Sequence, residues 1–224
     1  MNKNILLIVI LSLISQYASS QFIDKFGFNI GTTYSNQLWD YKYFTTKDPQ
    51  QDYKTGLSFF VFAEKEIIRV LSIRSELGYI QKGFKNNIEL IGNDGNYQEA
   101  GGKNVTLHDL GMDLEFKIKL FHYKWSPYAL VGLRGDYMIS HKDIVFAGPG
   151  YADNSALFKT ELNAFNKANL GGLAGIGLEF NDFYYLEFEY NPSLTSSYNI
   201  PGLEIKEICW DFKLGLNLNK LIQK

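Results

Sequence analysis

Residues 207–218 alternate almost without fault. Ile208, Trp210, Phe212, Leu214, Leu216 and Leu218 fall on one side, and Glu207, Cys209, Asp211, Lys213, Gly215 and Asn217 on the other. A period of two is the mark of a strand with one apolar face. The same template recovers seven further segments, at 26–34, 55–64, 71–82, 108–120, 127–140, 169–180 and 183–190. The fourth is the cleanest, with Leu110, Met112, Leu114, Phe116, Ile118 and Leu120 against Asp109, Gly111, Asp113, Glu115, Lys117 and Lys119. In the second, Leu57, Phe59 and Val61 form the apolar row, but Phe60 and Phe62 make its other face apolar too. Pro127 opens the fifth segment, where a missing ladder donor does least harm.

The links between these segments alternate strictly in length. Long polar stretches follow the first, third, fifth and seventh (35–54, 83–107, 141–168 and 191–206), and short ones follow the second, fourth and sixth (65–70, 121–125 and 181–182). Short turns on one rim and long loops on the other are the habit of outer-membrane barrels. A soluble up-and-down barrel of the lipocalin kind, carrying a ligand, would share the alternation with its apolar rows turned inward. The apolar rows hold no charge in their middles, and Tyr137, Tyr184, Tyr190 and Trp210 sit near strand ends, as an interfacial girdle requires. The pattern therefore predicts an all-β fold, an eight-stranded antiparallel up-and-down transmembrane β-barrel with its apolar rows toward lipid.

The N-terminus agrees with export. A short polar and basic start is followed by an apolar run over 5–14 and then Ala18, Ser19 and Ser20, the small residues a signal peptidase reads. The run is short of the about 18 to 20 residues that cross a bilayer as a helix. The expected division is a signal peptide over 1–20 and one barrel domain over 21–224, delivered to the cell outer membrane. Cys209 is the one cysteine of 224 residues, so no internal disulfide staples the fold. The formal charge of −2, with both signs interspersed, gives no reason to expect nucleic acid as a partner.

Several strand motifs resemble those of the PorT-like family of outer-membrane β-barrel proteins. They are Gly27-Phe28-Asn29-Ile30-Gly31, the run from Leu71 through Glu76 and Gln81-Lys82-Gly83, Pro127-Tyr128-Ala129-Leu130-Val131-Gly132, and Leu173-Ala174-Gly175-Ile176-Gly177-Leu178-Glu179-Phe180. The resemblance spans essentially the whole mature chain, and the run from Glu76 to Gly83 is its most specific part. It implies a small eight-stranded barrel in the outer membrane and, through the family's namesake, a link to a protein secretion system. No functional residue follows from it, because the motifs are structural. Residues 219–224 extend past the last strand, where such barrels usually close on a terminal aromatic residue.

Eight strands enclose a lumen that side chains nearly fill. The polar rows place Arg74, Glu76, Glu115, Lys117, Arg134, Asp136, Glu187, Glu189, Asp211 and Lys213 there, as a plug of ion pairs that leaves no free passage for solutes. Catalytic chemistry has thin support. The histidines are His108, His122 and His141, and only a rim set of His108 and His141 with Asp109 or Asp143 and Ser140 has the residue types for hydrolysis. Asn93-Asp94-Gly95-Asn96 lacks the spacing of a calcium loop, and the glycines over 171–177 do not fit a dinucleotide fingerprint. No cofactor, metal or enzyme activity is expected. A candidate binding surface is the first long loop, with Trp39, Tyr41, Tyr43, Phe44 and Tyr53, and the third loop through Gly148 to Tyr151 is long enough to fold over the mouth. The functional expectation is a structural, binding or secretion-machinery-associated barrel whose partners are outer-membrane lipid and envelope or secretion-system proteins. A narrow ion or small-solute pore and the soluble carrier are the alternatives.

Overall fold

The computed structural model describes residues 23–42, 51–85, 89–91, 97–99, 104–121, 123–142 and 163–219. The expected signal peptide lies outside the described residues, as do Tyr43, Phe44, 93–96, His122 and 148–151. In chain order the strands are β1 (Lys25–Tyr41), β2 (Asp52–Ile68), β3 (Leu71–Lys85), β4 (Glu89–Ile91), β5 (Tyr97–Glu99), β6 (Asn104–Lys119), β7 (Trp125–Lys142), β8 (Ala168–Phe180), β9 (Tyr184–Pro192), β10 (Tyr198–Ile200) and β11 (Leu203–Asn217).

The eight long strands pair antiparallel in the order β1-β2-β3-β6-β7-β8-β9-β11, and β1 pairs back onto β11 from Gly27↔Asn217 to Tyr41↔Leu203. The sheet is therefore closed and has no lateral edge among its long strands. β4 and β5 form a separate hairpin, and β10 folds back on the outer end of β11. The short turns gather at the end where β1 begins. One of them places Asn181 and Asp182 at φ 54° each, a left-handed conformation that Asn and Asp tolerate through local hydrogen bonds. Among the described residues no helix is long and apolar enough to cross a membrane.

Side-chain facing inverts the arrangement of a soluble barrel. Ile30, Leu57, Phe59, Leu77, Met112, Leu114, Leu133, Ile176 and Leu214 are exposed on the outside, Met112 by 61%. Arg74, Asp113, Lys117, Glu189, Asp211 and Lys213 are wholly buried within. The ambiguous second segment resolves with Val61 and its row outward, while Phe60 and Phe62 are buried inside.

The strands outrun their expected bounds at the long-loop end. β1 reaches Tyr41 instead of residue 34, β2 begins at Asp52, β3 runs to Lys85 and β11 begins at Leu203. In these extensions the pattern reverses. Phe84, Val105, Leu107, Met138, Phe165 and Ile205 form a buried apolar cluster, joined by Trp39, Tyr198 and Leu203, while Asp40, Lys85, Asn104, Lys142 and Lys206 are exposed. Exposed charge on the outer face fits a wall that stands in water at this height, with its apolar side turned inward. The continuous outward apolar row ends where that reversal begins.

Candidate functional site

The lumen is built from the inward row of every long strand, and its charges settle at three heights. Nearest the short turns, Lys117 on β6 places Nζ 3.0 Å from Glu64 Oε2 and 2.8 Å from Glu179 Oε2. Lys25 Nζ reaches the same Glu179 at 2.6 Å, and Lys119 lies 3.3 Å from it. The Lys117 ammonium also faces the rings of Tyr128 and Tyr185, at 4.3 and 4.4 Å from their centroids. A cation over a ring face gains from the ring quadrupole, and more so away from water.

At mid-height three cations organise six carboxylates. Arg74 makes a two-pronged contact with Glu187, which also accepts from the Tyr128 hydroxyl, and its Nη2 lies 2.8 Å from Glu115. Lys213 Nζ is 2.8 Å from both Glu76 and Glu189. Arg134 forks onto both oxygens of Asp113. Asn29 Nδ2 donates to Glu76 at 2.7 Å, and Ser58 Oγ donates to Asp211 at 2.8 Å. The Phe60 ring lies near two of the cations, with Arg134 at 5.0 Å and Lys213 at 4.6 Å from its centroid. The bidentate geometry suits the planar guanidinium, whereas each lysine bridges two acids as a point charge.

Toward the outer end, Lys82 Nζ lies 2.7 Å from Glu207, 3.0 Å from Asp136 and 3.1 Å from Asp109. Above this trio sits the apolar cluster of Phe84, Leu107, Met138 and Phe165. Glu76, Asp113 and Glu115 bring carboxylate oxygens within 4.8 Å of one another, the spacing of a cation site. Arg74, Lys213 and Arg134 already neutralise them, so the donor set is occupied by the protein's own cations.

The ten residues expected to share the lumen are thus divided: Lys117 belongs to the inner set, Asp136 to the outer one, and the other eight stand at mid-height. The sequence reading did not assign Lys25, Glu64, Lys82, Asp109, Asp113, Lys119, Glu179 and Glu207 to this network. Each lies on the inward parity of its strand, and all but Lys25 already fall within the predicted segments, so the period-two count itself carried them.

Of the aromatic residues expected on the first loop, the three among the described residues, Trp39, Tyr41 and Tyr53, stand on strands. Trp39 stands on β1 and packs edge-on against Phe84 at 5.9 Å, inside the mouth. Tyr41 is also on β1, and Tyr53 on β2 stacks on Tyr34 at 4.4 Å on the outer wall. Trp39 follows the inward parity of β1, where the apolar cluster offers it cover from water. Outside the lumen, Ser196 and Lys206 bond the half-buried Glu204 and hold its carboxyl below the usual range.

Two aromatic bands mark the outer wall. Trp125, Phe180 and Tyr184 make one, with centroids 4.3 and 6.4 Å apart. Tyr190, Trp210 and Phe188 make another near the far end, with Trp210 4.4 Å from Tyr190 and 5.2 Å from Phe188. A closed wall that is apolar outside, charged inside and banded by aromatics satisfies its backbone within itself and meets lipid on all sides. The chain is an outer-membrane β-barrel. The soluble-carrier alternative fails on this facing.

No family model and no curated protein matches the chain. Among solved structures it is similar to Ail, the attachment invasion locus protein of Yersinia pestis, crystallised with the heparin analogue sucrose octasulfate (12% identity over 86% of this chain and 97% of that one, TM-score 0.41). It is also similar to the outer membrane protein OprG of Pseudomonas aeruginosa (7% identity, 88% and 96%, TM-score 0.47). A third is the outer membrane enzyme PagL (9% identity, 83% and 97%, TM-score 0.42). These likenesses are of barrel architecture; the placement in a membrane follows from the side-chain facing of this chain itself.

Proposed function

We propose that the barrel does not conduct solutes and is not an enzyme, and that it serves a structural, binding or secretion-machinery-associated role of the kind its PorT-like resemblance implies. The observation that carries this reading is the filled lumen: three sets of buried ion pairs beneath an apolar cluster at the outer mouth. Buried charges held this closely are costly to separate, so a passing solute would have to break pairs with little else to satisfy them. The rim histidines favour the same conclusion. His108 Nδ1 is engaged by the Tyr79 hydroxyl at 2.5 Å, while Asp109 points into the lumen toward Lys82, away from His108. His141 Nε2 lies 3.1 Å from Asn163 Oδ1. What the molecule offers to others is then its outer loops and its short turns, and its partners are membrane lipid and envelope or secretion-system proteins.

One observation favours a narrow pore as the second reading. At mid-height Arg74, Arg134 and Lys213 face Glu76, Asp113, Glu115, Glu187, Glu189 and Asp211, all of them buried. That surplus of acid would select cations if the lumen opened. Conductance of the refolded protein in a planar bilayer separates the two, with the heat-dependent shift in gel mobility as the control for folding. A silent bilayer is expected. Reproducible steps would overturn the closed lumen, and a reversal potential on the cation side would then establish the second reading.

A further inference from the structure

Between the Lys82 trio and Arg134, against the wall formed by β8 and β9, lies a small cavity lined by Lys82, Arg134, Asp136, Asn191, Glu207 and the backbone near Gly171. The centre of a water molecule has about 10 Å³ to occupy there, the room for a single solvent molecule. Most of its polar lining is already committed. Lys82 gives its three protons to Glu207, Asp136 and Asp109, and the Glu207 oxygens accept from Lys82 and from Ser197. Four buried side-chain atoms of these lining residues have no hydrogen-bond partner among the described residues: Arg134 Nη1, Asp136 Oδ1, and both Nδ2 and Oδ1 of Asn191. Asn191 is only 6% exposed and Arg134 1%.

From this complement we infer that the cavity is a binding site for one ordered water molecule. Two of the four atoms are donors and two are acceptors, and exchanging the oxygen and nitrogen of Asn191 leaves that balance unchanged. Water accepts two hydrogen bonds and donates two, so it answers all four. A metal cation would meet the Arg134 guanidinium, and an anion would meet the carboxylates of Asp136 and Glu207. The water joins Asp136 of the outer trio to the Arg134–Asp113 pair at mid-height, making one network of two. It also braces the wall where the ladder is thin. Between the pairs Ala174↔Tyr190 and Gly171↔Ser193 stands Pro192, which has no N–H to give.

The test is magnetisation transfer from water in isotopically labelled protein, refolded in detergent micelles at several salt compositions. Cross-peaks from a slowly exchanging water to the Asn191 side-chain amide and the Arg134 guanidinium are expected, at the same shifts in sodium, potassium and chloride salts. Absence of those cross-peaks would mean a dry cavity and would overturn the inference. Shifts of the Asn191 amide that track the identity of the salt would overturn it in favour of an ion. Asn191→Leu, of similar volume, should abolish the Arg134 cross-peak while the gel-mobility shift still reports a folded barrel, and persistence of that peak would also sink the proposal. Should that variant not fold, the measurement on the unaltered protein decides alone.

Discussion

Arg74 is wholly buried and touches Glu187, Glu115 and Glu76, so its removal strands several acids at once. Arg74→Met should cost about 3–5 kcal/mol of stability, the range for breaking a buried ion pair from one side. Urea unfolding followed by gel mobility measures it. Adding Glu187→Gln should recover part of the loss, and a single-variant cost under about 1 kcal/mol would mean that solvent reaches those acids. Gly177 is as demanding for the opposite reason. It pairs with Tyr128 across β7 and β8, and a Cβ there would run into the Tyr128 ring. Gly177→Val should drive that ring away from Lys117 and Glu187 at about 1–3 kcal/mol, the usual cost of overpacking. Its loss should shrink when Tyr128→Ala is combined with it. Both residues are plainly on inward rows in the sequence, but their juxtaposition is not, since it depends on register between strands.

Strand β6 shows two environments along one element. Its middle, at Met112 and Leu114, is exposed outward, while its first turn of pleat at Val105 and Leu107 is buried inward under the apolar cluster. Met112→Arg should therefore cost about 2–4 kcal/mol if that residue lies near the bilayer midplane, and Thr106→Arg close to nothing, as judged by unfolding in liposomes. Equal costs would contradict the placement of the membrane on the wall. Phe84→Ala in the outer extension should behave like a soluble core deletion and cost about 3–5 kcal/mol. The facing of β6 is legible from its alternation alone. Its start is not, because the alternation exchanges its polar and apolar sides where lipid gives way to water.

For the whole molecule, closure between β1 and β11 removes the free edges and makes the barrel a single cooperative unit. The unheated protein should resist denaturing detergent and migrate apart from the boiled protein on a gel. Identical migration, with the protein recovered without detergent, would contradict a membrane barrel. The outer apolar cluster and the ion pairs beneath it are properties of the closed tube, since each draws on strands from both halves of the chain.

Alternation along the chain is enough to count the long strands, to group the side chains of most of them into two faces and to name the rim that carries the long connections. These follow from a side-chain period of two and from the alternation of short and long links, both local properties that need no knowledge of neighbours. Which charges meet depends on contacts between distant parts of the chain. Arg74 and Glu187 are 113 residues apart, Lys213 and Glu76 137, and Lys25 and Glu179 154. The register of eight strands around a closed tube sets the height of each side chain in the lumen, and no local pattern carries that register. It also decided that Trp39 turns into the mouth and that Lys82 gathers three acids beneath it, because burial depends on what the opposite wall supplies.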